Sequence, residues 1–188
     1  MAREFQENPS IIKELEEDEK IVWRGAPEAF PLMNEENKKG LTYRWLGCII
    51  VAVALVAIYL MLSLGTEGGV SVWLLILLLV VVIYVAGLPM VDRNNVYKKC
   101  KYYVTNRRVI LQYGENETFN LPRAGLKSQV VPAEDGCIHV ELGSCVGVKG
   151  KKRRVASFVP KKDANDNICG FVIYNVADSK ELRAAFDK

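Results

Sequence analysis

The sequence predicts a membrane α-helical hairpin of two spans joined to a cytoplasmic, mainly-β domain of about seven strands with a C-terminal capping helix. Three observations predict it. Two apolar runs, each close to the ~20 residues that a helix needs to cross a bilayer, stand in tandem without a charged residue. Lys and Arg crowd the outer flanks of that pair and are missing from the loop between them. From Lys101 onward, short stretches rich in Val, Ile, Tyr and Phe recur between turn residues.

The first run, WLGCIIVAVALVAIYLMLSL, extends from Trp45 to Leu64, and the second, VSVWLLILLLVVVIYVAGL, from Val70 to Leu88. The GTEGG between them is too short and too polar for anything but a tight turn. Lys38, Lys39 and Arg44 precede the first run, and Arg93, Lys98, Lys99 and Lys101 follow the second. Because cytoplasmic flanks carry the Lys/Arg excess, this predicts a multi-pass protein of the cell membrane with both termini cytoplasmic. Tyr43, Trp45 and Trp73 sit where interfacial aromatics belong. Pro89, after the second run, is expected to help end its helix. The runs hold no group of the kind that relays ions or protons, which points to an anchor rather than a pathway.

Charge is uneven along the chain. Residues 1–45 carry seven Lys/Arg against ten Asp/Glu, whereas residues 92–188 carry eighteen against eleven. A basic half attached to a membrane segment suggests an anionic surface or partner nearby. The five cysteines show no CxxC or other regular spacing, so neither a disulfide framework nor a metal site is expected, and no motif calls for a cofactor.

Three regions follow. Residues 1–44 read as a cytoplasmic N-terminal helix and linker: Ile11, Ile12 and Leu15 lie near helical spacing, the acids Glu14 to Glu19 form the solvated side, and IVWRGAP at 21–27 is an extended piece closed by a turn. In that piece Trp23 is expected to pack rather than bind. Residues 45–89 are the two-helix hairpin. Residues 92–188 are the β domain, with KYYVT and RRVILQY as a hairpin about Asn106, a residue tolerant of left-handed turns. ETFNL, LKSQVV, CIHVELG, RRVASFV and ICGFVIYNV follow as further strands. In CIHVELG the alternation sets Ile138, Val140 and Leu142 on one face and His139 and Glu141 on the other, so His139 is expected at the surface. ADSKELRAAFDK closes the chain as a helix capped by Asp178 or Ser179, with Leu182, Ala185 and Phe186 on its apolar face.

Seven short strands and one amphipathic helix describe a small, partly open barrel capped by a helix, the layout of a pleckstrin-homology (PH) domain. The residues carry a resemblance as well. YYVTNRRVIL at 102–111, preceded by a two-span hairpin and by EKIVWRGAP at 19–27, resembles bacterial membrane proteins with a PH-like domain, in which a hairpin with this tyrosine, threonine and paired-arginine pattern begins the domain. The resemblance covers the general layout of most of the chain. It implies fold and location more than function, because the family has no established common activity.

KGKKRRVASFVPKK at 149–162 contains seven Lys and Arg and no acid. Such a run is electrostatic and indifferent to which polyanion it meets. On a domain fixed at the inner leaflet, each Lys or Arg is worth ~1 kcal/mol of attraction to anionic lipid. No aromatic residues interleave the basic ones to stack on bases, so nucleic acid is not expected. The candidate lipid- or partner-binding residues are therefore Lys149, Lys151, Lys152, Arg153 and Arg154, with Arg107 and Arg108 at the hairpin. No nucleophile–base set, phosphate loop or metal motif accompanies them, so no enzyme is expected. The leading expectation is a membrane-anchored scaffold that binds a cytoplasmic or membrane protein. The alternatives are a reader of anionic phospholipid headgroups and a transport-associated subunit assembling through its hairpin.

Overall fold

The computed structural model describes Ile11 and residues 15–64, 70–148 and 160–186. It divides into two units, Leu32–Asp92 and a second made of Met1–Pro31 with Arg93–Lys188.

The first unit holds helix α1, Glu35–Leu64, and most of helix α2, Val72–Lys99. Both are long and apolar enough to cross a membrane. Helix α1 starts ten residues ahead of Trp45, inside the stretch read as a linker, because Asn34 caps it: the Asn37 N–H donates to Asn34 Oδ1 at 3.0 Å. Pro89 does not end the second helix, which continues to Lys99. A proline inside a helix removes the bond to the carbonyl four residues back, here Val85. That carbonyl accepts from Arg44 Nη2 at 3.4 Å, and the adjacent Ala86 carbonyl accepts from Trp45 Nε1 at 3.1 Å. The Arg44 side chain thus re-satisfies the carbonyl that the proline strands, with Trp45 bonding beside it, which is how apolar helices tolerate proline. At the other end, Tyr59 Oη accepts from the Ser71 N–H at 2.7 Å and binds down the start of α2.

The second unit is built of antiparallel strands. Strands β1 (Ile21–Gly25), β2 (Cys100–Thr105), β3 (Arg108–Tyr113) and β4 (Glu117–Pro122) form one sheet in that order. Strands β5 (Ser128–Pro132), β6 (Cys137–Leu142) and β9 (Val172–Ala177) form a second, ordered β5-β6-β9. A short pair, β7 (Lys161–Lys162) and β8 (Ile168–Gly170), lies between them in sequence. The stretch 168–176, read as one strand, is broken at Phe171 into β8 and β9. Helix α3, Lys180–Phe186, packs against β1 and β5. Its cap is Ser179, whose Oγ accepts from the Leu182 N–H at 3.2 Å, while Asp178 pairs with Arg183 instead. The expected strand at 153–159 lies outside the described residues.

Alternation along β2 and β3 divides the core in two. Tyr102, Val104, Val109 and Leu111 point into the main core, where Ile138, Val140, Phe171, Ile173 and Leu182 meet them. Tyr103 and Ile110 point the other way and are covered by Ile11, with Leu15 and Ile21 beside them. Ile11 and residues 15–31 therefore belong to this unit, supplying both β1 and the cover. Trp23 packs against the main core, its ring lying across Gly25.

His139 is not at the surface. Strand β6 is central in its sheet and all six of its residues are buried, His139 being 1% exposed. Alternation shows that two faces differ, but not that one of them is wet. His139 Nδ1 accepts from the Asn175 N–H at 2.8 Å, and its ring stacks on Tyr174 at 4.2 Å. Asn175 is a bulge residue with φ of 48°. Its carbonyl accepts from the Glu28 N–H at 2.7 Å, and its Nδ2 donates to the Glu28 carbonyl at 3.2 Å. Phe30 sits edge-on to Tyr174 at 5.0 Å, and its carbonyl accepts from Arg93 Nε at 2.6 Å.

Candidate interaction site at the Thr105–Arg108 turn

Of the basic residues singled out in the sequence, Lys149, Lys151, Lys152, Arg153 and Arg154 lie outside the described residues. Arg107 and Arg108 are described, at the turn that joins β2 to β3. What they meet is the chain's own acidic segment.

Glu19 is central to this arrangement. Its side chain is fully enclosed. Arg108 donates through Nε to Oε1 and through Nη2 to Oε2, both at 2.9 Å, a two-point grip that a planar guanidinium is shaped to make. Thr105 Oγ1 donates to Oε1 at 2.7 Å, and the Glu16 N–H donates to Oε2 at 3.2 Å. Burial acts to raise the Glu19 carboxyl. The bonds from Arg108, Thr105 and the Glu16 backbone outweigh it, with the Arg108 charge in support, and hold the carboxyl below the usual range.

Thr105 and Asn106 tie the turn together. Thr105 Oγ1 accepts from the backbone N–H groups of Arg107 and Arg108, at 3.2 and 2.9 Å. Asn106 tolerates left-handed geometry but does not use it here: among the described residues, the non-glycine residues with positive φ are Asp135, Asp166 and Asn175. Its side chain works by hydrogen bonding instead. Oδ1 accepts from the Lys20 N–H and Nδ2 donates to the Asp18 carbonyl, both at 3.0 Å, while its own N–H donates to the Lys20 carbonyl at 3.1 Å. Arg107 lies further out and is half exposed. It pairs with Glu16 and, at 3.7 Å, with Asp18, whose side chains are 60% and 88% exposed.

Arg123, on the loop after β4, reaches the same place. Its Nη1 donates to the Thr105 carbonyl at 3.1 Å and its Nη2 to the Ala185 carbonyl in the last turn of α3, where a cation meets the negative end of the helix dipole. Glu19, placed by sequence on the solvated side with its acidic neighbours, is instead enclosed because Arg108 and Thr105 bind its carboxylate, and Arg123 carries no sequence signal of its role. The signal for Glu19 was present: it is the only acid in the EEDEK stretch adjoining a strand that begins two residues later.

The arrangement binds the chain's own acidic groups with arginine, and its geometry is that of a structural lock. Among the described residues, no cluster of three or more His, Cys, Asp or Glu could hold a metal ion. A shallow groove between β1 and α3 is lined by Ile21, Val22, Trp23, Arg24, Ser179 and Glu181. No family model, curated protein or solved structure matches this chain.

Proposed function

We propose that the chain is a non-enzymatic, membrane-anchored module whose PH-like domain holds a protein partner at the cytoplasmic face of the membrane. The observation that carries this reading is the pairing of β1 with β2. Ile21–Gly25 precedes the two apolar helices and Cys100–Thr105 follows them, yet the two strands share one ladder. If both helices cross a bilayer, that ladder requires the outer flanks of the hairpin to emerge on one side. Those flanks carry Lys38, Lys39, Arg44, Arg93, Lys98, Lys99 and Lys101, which supports the cytoplasmic side.

A four-stranded and a three-stranded antiparallel sheet followed by a helix that touches both supports the PH-like reading. The non-enzymatic reading draws support from where the reactive groups are spent. Glu19, Arg108, Thr105 and His139 all serve bonds that hold segments of the fold to one another. For the lipid alternative, Arg108 is committed to Glu19, leaving Arg107 and the run at 149–154 to supply headgroup contacts.

The test uses the full chain in sealed membrane vesicles, with tags at both ends and a photoreactive residue replacing Arg107 or Lys152 in turn. Both tags are expected to be protease-accessible from the same side. Crosslinks from these positions to protein support the scaffold reading. Crosslinks to phospholipid alone would replace it with headgroup binding, and tags on opposite sides would overturn the architecture.

A further inference from the structure

We propose that the outer face of the first sheet is a docking surface for an acidic amphipathic segment of a partner protein, and that the chain's own Ile11 and residues 15–19 occupy it in cis. This rests on the reading of the chain as a protein-binding module and names the chemistry of the partner.

The surface is built from cross-strand neighbours. Tyr103 on β2 is registered against Ile110 on β3, and both point away from the main core. Arg107 stands at the adjoining turn. Together they present an apolar pair beside a cation. What covers them is matched in kind. Ile11, 1% exposed, and Leu15 both pack on this pair. Glu16 and Asp18 then meet Arg107. An apolar face followed by acids is therefore the recognised pattern, seen with its first occupant in place.

The occupant has a fixed part and a releasable part. From Asp18 to Lys20 the backbone is bonded to Asn106, and Glu19 is enclosed with Arg108 and Thr105. This portion anchors β1. Ahead of it, Ile11 and Leu15 rest on a small cluster separate from the main core, the Glu16 backbone exchanges bonds with Glu19 at 3.2 and 2.9 Å, and Glu16 pairs with a half-exposed Arg107. Exposed ion pairs are weak and screened by salt. The part ahead of Asp18 can leave, giving up the Glu16 bonds to Glu19, while Arg108, Thr105 and Asn106 keep β1 anchored, and its departure uncovers Tyr103 and Ile110 and releases Arg107 from Glu16. A partner segment must outcompete a tethered one, so the cis segment sets a threshold for binding.

The test uses the full chain in nanodiscs and a fluorescent peptide of sequence ENPSIIKELEEDEK, that of residues 7–20. In a variant carrying Ile11→Ser and Leu15→Ser the cis segment is unseated. The peptide is expected to bind this variant roughly tenfold or more tightly than the parent, with affinity falling as salt rises and lost on adding Arg107→Glu. A variant that melts as cooperatively as the parent and binds no tighter would overturn the proposal. Should the variant fail to fold, hydrogen exchange on the parent decides: excess peptide is expected to accelerate exchange in residues 15–17, and unchanged exchange would overturn it. Failure here with protein crosslinks still forming at Arg107 leaves the scaffold reading intact, whereas lipid-only crosslinks remove that reading itself.

Discussion

Glu19 and Arg108, 89 residues apart in the chain, close a two-point ion pair in which the carboxylate is wholly enclosed and the guanidinium only partly so. The pair joins the segment before the apolar helices to the first hairpin after them. The second arginine of the paired-arginine pattern thus serves chain closure, while its neighbour Arg107, half exposed, makes the outer ion pairs with Glu16 and Asp18.

Removing one partner is expected to cost far more than removing both. Arg108→Met leaves Glu19 enclosed without its cation, a loss of about 3 kcal/mol or more. That corresponds to a fall in melting temperature on the order of 10–20 °C for a domain of this size. Glu19→Leu combined with Arg108→Met should recover much of the loss, because no uncompensated charge remains. Thermal melts of the four proteins, followed by tryptophan fluorescence, check it. Additive losses would show that the two side chains are not coupled.

The same pair predicts an acid limb. The Glu19 carboxyl is depressed in the folded state, so its contribution is complete above the unfolded carboxylate value, near 4.5. It is lost as pH falls through the folded value. Asp163 and Asp178 are shifted in the same direction by hydrogen bonds, chiefly from the Asn167 backbone and from Arg183, so the parent curve alone is not diagnostic. The difference between parent and Glu19→Gln is. Stability measured from pH 7 down to pH 3 should converge for the two proteins at the acid end and separate above about pH 4.5.

The long helices could be read in advance because a charge-free run of spanning length has few other uses. Strands β2 to β6 were legible from their composition and turn residues. What escaped was information held in distant partners. Strand β1 looks like an extended piece of a linker until Cys100–Thr105 is beside it. His139 reads as outward because alternation carries no knowledge of what covers the second face. Pro89 reads as a stop because Arg44 and Trp45, which supply the donors, lie more than forty residues earlier. At the candidate site, the arginines were visible from sequence, but their engagement by Glu16, Asp18 and Glu19 was not.

Cys100 should be chemically silent in the native protein. Burial pushes its thiol up to about 12. At pH 8 the thiolate fraction is then on the order of 10⁻⁴, and the thiolate is the reactive form. A variant retaining only Cys100 is expected to resist iodoacetamide until denatured. A variant retaining only Cys169, which is partly exposed, should react natively. Native labelling of Cys100 at a comparable rate would show that the start of β2 opens readily.

Asn175 holds the Glu28 backbone from a left-handed conformation, φ 48°. Asn175→Ala loses the side-chain bond, worth about 1 kcal/mol, and adds the Cβ penalty of that conformation, ~1–2 kcal/mol. Asn175→Gly loses the bond without the steric penalty. Denaturant midpoints should therefore rank parent, then Gly, then Ala. The reverse order of the two variants would show that the bulge relaxes to a right-handed backbone when the side chain is gone.

Two glycines separate conformational from steric need. Gly125 has φ of 69° with open space where a Cβ would stand, so Gly125→Ala meets only the left-handed penalty of ~1–2 kcal/mol. Gly170 has no positive φ but lies where β8 crosses the end of β6, and a Cβ there would meet the Leu142 carbonyl and sit 2.7 Å from the Ser144 nitrogen. Both are backbone atoms and cannot swing aside, so Gly170→Ala must part the two strands, at about 3 kcal/mol or more. The crossing also brings Cys169 Sγ to 3.2 Å from Ser144 Oγ and Lys161 Nζ to 3.0 Å from the Ser144 carbonyl. Parting it should therefore also raise the native reactivity of Cys169. Equal losses for the two substitutions, with Cys169 unchanged, would mean that the β8 crossing is loose enough to yield.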